Sequence, residues 1–149
     1  MASGISDASE TAAVLLIFNN TNWANVGDAT GLRGSTVAGS LYVGLSTGTL
    51  SDTSTQTTTQ AAYGSYARVA VARSGAGWTC SGGQASNAAA VTFPAASSGS
   101  ETETDVTIGL ASGTGAGDAL YWGALTAPLA VSTGITPSFA IGALVATIG

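Results

Sequence analysis

One stretch in the C-terminal half, ETETDVTIGL (Glu101–Leu110), decides the fold class. Its odd positions are acidic or small through Gly109. Its even positions turn apolar at Val106, Ile108 and Leu110. A period of two belongs to a β-strand, whose successive side chains point to opposite faces, so the pattern predicts one wet and one dry face.

The same period recurs on both sides. Leu41, Val43 and Leu45 alternate with Tyr42 and Gly44. From Tyr66 to Arg73, Val69 and Val71 share a face with Ala67 and Arg73, while Tyr66 and Arg68 share the other. Ala89, Val91 and Phe93 mark a strand stopped by Pro94. The glycine turn SGTGAGD (Ser112–Asp118) precedes Leu120 and Trp122, then Leu129 and Val131, Phe139 and Ile141, and finally Leu144 and Ile148. About eight short strands at fairly regular spacing predict a mainly β protein: an antiparallel β-sandwich, jelly-roll-like, with one N-terminal helix. The helix is expected over 5–20. Asp7-Ala8-Ser9-Glu10 fits a capping box, and Asn19-Asn20-Thr21-Asn22 supplies the stop. Val14 to Phe18 is an unbroken apolar run, which requires packing on two sides or beneath another subunit; a buried strand is the alternative reading. The whole chain, 1–149, reads as one domain with the sandwich over 41–149. Leu50 to Gln60, with no apolar residue after Leu50, reads as a long exposed loop.

Composition removes most chemistry. Only 7% of the 149 residues are charged: eight acids and three arginines, with no lysine or histidine and a net charge of −5. Ala, Gly, Ser and Thr account for 88 residues. Three cations cannot neutralise a track of phosphates, so nucleic acid is not an expected partner, and neither is an anionic membrane. No apolar run reaches the roughly 18–20 residues that span a bilayer. The N-terminus has no basic region before an apolar one and does not read as a secretory signal.

Without histidine or lysine, no imidazole or amine can activate a nucleophile. Cys80 alone makes neither an intrachain disulfide nor a CxxC metal site. A carboxylate pair among Glu101, Glu103 and Asp105 is the one remaining enzymatic device. The same acids could hold Ca²⁺, but no Asp-Gly loop supports it. A solvated strand face or an acidic subunit contact is the simpler reading. No catalytic, metal or cofactor residue is therefore expected. Trp78 and Trp122 are read as core rather than as a sugar platform. Arg68 and Arg73, two of three cations, are expected to meet carboxylates or aromatics, within the chain or across subunits.

An ordinary small soluble domain carries roughly 25–35% charged residues on its surface. The deficit here suits a protein whose faces are covered by neighbours. Leu15, Leu16 and Phe18 of the helix, Arg68, Arg73, and Glu101, Glu103 and Asp105 are the candidate subunit contacts, together with the 51–60 loop.

Several segments resemble a family of small virion proteins of tailed bacteriophages. They are LYVGLSTG (Leu41–Gly48), YGSYARVAVARS (Tyr63–Ser74), the GWT after it, and SNAAAVTFPAAS (Ser86–Ser97). TIGLASGTGAGDALYWGALTAPLAV (Thr107–Val131) and GITPSFAIGALVATI (Gly134–Ile148) continue the likeness over nearly the whole chain. Members are often labelled tail fibre protein, and some related small β-sandwich proteins act as capsid cement. The resemblance implies a virion structural protein with no catalytic residues. The chain is too short, and lacks the heptads or long repeats, to form a whole fibre. The expected role is thus a cement or decoration protein on the capsid exterior, bridging major capsid protein subunits and meeting copies of itself as dimer or trimer. The alternative is a tail or fibre-associated component, binding a host receptor or glycan through Tyr63, Tyr66 or Trp78.

Overall fold

The computed structural model describes residues 4–148; residues 1–3 and 149, the ends of the expected domain, lie outside them. The elements are α1 (Asp7–Asn19), β1 (Ser40–Ser46), β2 (Val69–Ala72), β3 (Trp78–Ser81), β4 (Gln84–Asn87), β5 (Val91–Thr92), β6 (Ser100–Gly109), β7 (Ala119–Ser132), β8 (Ser138–Phe139) and β9 (Val145–Thr147). The protein is mainly β, with one N-terminal helix. The pairs β1/β6, β6/β7, β3/β4, β4/β9 and β5/β8 are all antiparallel. No helix among the described residues is long and apolar enough to cross a membrane. The elements fall into two compact units.

The first unit comprises the chain up to Ser40, Ala72–Ala90, and the chain from Ala140 onward. Its helix begins one residue before the expected capping box. Ser6 is extended, and its Oγ accepts the Ser9 N–H. Asp7 and Glu10 then sit in the first turn, where the helix dipole favours anions. Asn20 closes the helix in the left-handed conformation (φ 55°), and the Thr21 N–H returns to Leu15 O at 3.1 Å. Val14 and Phe18, four residues apart and so on one face, are its buried side chains. The helix packs on β3 and β4, with the Phe18 ring edge-on to Trp78 at 4.8 Å. Those strands form the sheet β3–β4–β9. Gly82 (φ 57°) and Gly83 (φ 75°) make the two-residue turn between β3 and β4. The sequence showed no alternation there, because Ala85 and Asn87 are the inward residues and neither reads as apolar core.

The second unit comprises Leu41–Val71 and Val91–Phe139. Its main sheet has the order β2–β1–β6–β7, and β5 pairs with β8 beside it. Leu41, Val43 and Leu45 are buried on β1 as the alternation implied. Gly44 is buried between them. A Cβ on it would lie 2.7 Å from Thr107 Oγ1 and 3.2 Å from Tyr66 Oη, so the close approach of β6 requires glycine. Tyr63, Tyr66, Phe93 and Phe139 form a chain of ring contacts with centroids 5.3, 6.2 and 6.1 Å apart.

Three expectations are corrected. The acidic face of β6 is the inward one: Glu103, Asp105 and Thr107 are buried, while Leu110 is exposed. β6 is a central strand between β1 and β7, and Thr107, Ile108 and Gly109 are buried in succession, so both of its faces are covered at its C-terminal end. The two segments around Leu120 and Leu129 are one strand, β7, running through Pro128. Opposite Glu103 and Asp105 it carries Leu129 and Ala124, so residues 125–128 bulge from the ladder. The 51–60 loop is anchored rather than free. The Gln56 N–H donates to Gly117 O at 2.9 Å, and its buried side-chain amide bridges the Ala111 N–H and Tyr42 O.

Candidate functional site

The inward face of β6 collects most of the unusual chemistry. Glu101 Oε1 accepts the Ala62 and Tyr63 N–H groups, both at 2.8 Å, and so ties that turn to the strand. Two residues on, Glu103 is 0% exposed, and neither carboxyl oxygen accepts a hydrogen bond from an N–H or hydroxyl group. Burial first, then a side-chain hydrogen bond with Glu101 and the charge of that carboxylate, push the Glu103 carboxyl up to about 8. At neutral pH it is therefore an uncharged acid, the form that burial beside a second carboxyl favours. Burial first, then Tyr66, Glu103 and Glu101, push the Tyr63 phenol up to about 12. Burial also raises Tyr66, whose Oη accepts the Leu45 N–H at 2.9 Å.

A neutral acid beside a carboxylate is the pairing that glycoside hydrolysis uses. Here Glu103 is enclosed, and Glu101 is occupied by two backbone N–H groups. No group of three or more His, Cys, Asp or Glu among the described residues could hold a metal ion.

Both arginines expected at contacts bind backbone carbonyls of their own chain. Arg68 is buried. Its Nη1 donates to Ala111 O at 3.1 Å and Gly115 O at 2.8 Å, and its Nη2 to Gln56 O at 2.9 Å and to Gln60 Oε1. It joins the glycine turn to the 51–60 segment, and burial pushes its guanidinium down from the ordinary value. Arg73 reaches across 56 residues to the end of α1. Its Nε donates to Ile17 O at 2.7 Å and its Nη2 to Leu16 O at 2.8 Å, while Nη1 meets Ala38 O and Ser35 Oγ. The last turn of α1 has no basic residue of its own, so Arg73 supplies the cation that the helix C-terminus favours.

The eight contact candidates thus divide. Phe18, Arg68, Glu103 and Asp105 are buried within the chain and offer no side-chain surface. Leu15, Leu16, Arg73 and Glu101 are half-buried, and the last two are already engaged in the bonds above. The helix residues and Arg73 lie in the first unit, and Arg68 and the acids in the second. Tyr63, Tyr66 and Trp78 are all buried, which leaves them no face for a sugar. Trp122, read as core, is 43% exposed because it stands on an edge strand. Two residues escaped the sequence reading. Gln56 is fully enclosed, and its only signal was being a long amide inside a Ser/Thr run. The edge position of Trp122 has no local signal, since strand order is set by pairing far along the chain.

A family model described as podophage GP4 fiber I protein gp80 matches residues 4–147. No curated protein matches the chain.

Proposed function

Since this chain belongs to the podophage GP4 fiber I protein gp80 family, we propose that it is a fibre-associated component of a podophage tail. The observation that carries this reading is the extent of the match: residues 4–147 include every helix and strand described above, in both units. Its work is assembly. It supplies a nearly uncharged, mainly β module that joins or terminates a fibre built with other chains. The cement reading rests on the charge deficit, on the short chain without fibre repeats, and on a likeness to cement-related sandwiches. A fibre module shielded by its neighbours accounts for that deficit equally well, and the family name favours the fibre.

The test is to locate and count the protein on intact virions by electron microscopy with a specific antibody or by direct reconstruction. A few to a few dozen copies confined to the tail are expected. Hundreds of copies spread over the shell would refute the fibre reading and restore capsid cement.

A further inference from the structure

The turn at Ala62 and Tyr63 is fastened by one side chain. The bonds that flank it are main-chain bonds: the Ala61 N–H donates to Leu45 O and the Gly64 N–H to Ser98 O, both at 2.9 Å. Between them, the Ala62 and Tyr63 N–H groups both donate to Glu101 Oε1 at 2.8 Å. Glu101 is half-buried and Ala62 is exposed, whereas Glu103 is enclosed.

Glu103 depends on the same carboxylate. Its side chain is hydrogen-bonded to that of Glu101, and two carboxyl groups can bond to each other only if one of them holds a proton. The bonding pattern says which one. Two backbone N–H groups favour the charged form of Glu101, and no N–H or hydroxyl does so for Glu103. Glu103 is therefore the donor and Glu101 the acceptor. The other groups around Glu103 supply no counter-charge. Asp105 is the next buried acid on its strand, and β7 places Leu129 and Ala124 opposite the two. β1 carries only the Tyr42 phenol, at its far end opposite Gly109. The segment from the turn onward brings the phenols of Tyr63 and Tyr66, both raised by burial and so neutral, Tyr63 to about 12. Arg68 is the one arginine of this unit, and its Nη atoms are occupied by Ala111, Gly115, Gln56 and Gln60.

We propose that the proton shared by Glu101 and Glu103 is a latch: while it is held, Glu101 grips the Ala62–Tyr63 turn, and its loss at mildly alkaline pH releases that turn without unfolding the sheet. Once the proton has left for solvent, two adjacent carboxylates with no cation between them repel, and one must reach water. Glu103 is enclosed, so Glu101 is the one that swings out. It then drops both N–H groups, and water takes its place at the exposed Ala62. The bonds of Ala61 and Gly64 involve no carboxylate and stay closed. The release is local, and it goes beyond the fibre reading: it belongs to the fold wherever on a virion the chain sits.

The experiment is amide hydrogen exchange on the purified full chain, followed by NMR at about pH 6, 7 and 8, between the ordinary carboxyl value of 4.5 and the raised one of about 8. Each rate is divided by that of an unstructured amide at the same pH. Protection at Ala62 and Tyr63 should fall about tenfold per pH unit, the slope for one proton released per opening, while protection at Ala61 and Gly64 holds. Glu103→Gln keeps a neutral donor to Glu101 and should flatten the slope at Ala62 and Tyr63. Equal losses at all four amides would mean that the whole segment opens. Protection independent of pH would mean that no shared proton holds the turn. A slope that survives Glu103→Gln would belong to another group. Each of these three results overturns the proposal, and the contrast among the four wild-type amides is decisive even if the glutamine variant fails to fold.

Discussion

Replacing Glu103 with glutamine should stabilise this protein, and by an amount that depends on pH. In the unfolded chain the carboxyl titrates at the ordinary 4.5; in the folded chain it is pushed up to about 8. Between those values the folded state holds a proton that the unfolded state has released. Unfolding therefore liberates a proton, and stability falls as pH rises, by about 1.4 kcal/mol per pH unit. The loss begins near pH 4.5, amounts to about 3 kcal/mol at pH 7, and levels off at about 5 kcal/mol above pH 8. Glutamine keeps the size and neutrality of the protonated acid and cannot ionise. The assay is urea unfolding of both proteins at pH 4, 5, 6, 7 and 8 (a range of roughly four units spanning the window), followed by tryptophan fluorescence. The difference between them should be near zero at pH 4 and should grow with pH in favour of Glu103→Gln. At pH 7 it should raise the melting temperature by roughly 6–12 °C for a chain of this size. A difference independent of pH, or a variant less stable than wild type at pH 8, would show that Glu103 is neither enclosed nor neutral, and the account of the β6 face would fall.

Two further substitutions probe the two units separately. Arg73→Ala removes the guanidinium from Ile17 O and Leu16 O and should cost about 2–4 kcal/mol in urea unfolding, with Arg73→Lys recovering only part, because an ammonium lacks the planar fork. Gly44→Ala should cost about 1–3 kcal/mol through its clash with Thr107 Oγ1, and pairing it with Thr107→Ala should restore a measurable share. Strict additivity of those two changes would show that β1 and β6 do not meet as described.

Much of the architecture was legible locally. Alternation at Leu41, Val43 and Leu45, the asparagines after Phe18, and the glycines between strands each act through the residue's own backbone preference or its immediate neighbours. They foretold a mainly β protein with one N-terminal helix. The lack of histidine and lysine narrowed the chemistry before any coordinates, and the ordered run of phage-like segments pointed to the virion family that the match over 4–147 bears out. What stayed hidden was decided by pairing across long stretches of chain. Alternation says that the faces of β6 differ, not which one turns inward. That choice follows from which distant segments cover each face: the turn at Ala62 and Tyr63 is tied to Glu101, and Glu103 is enclosed, where the acid keeps its proton. Arg73 reads as a surface cation until the end of α1, 56 residues earlier, is placed beside it. Trp122 reads as core until β7 proves to be the last strand. Burial and pKa depend on which distant segments arrive as neighbours, and only the folded chain supplies that information.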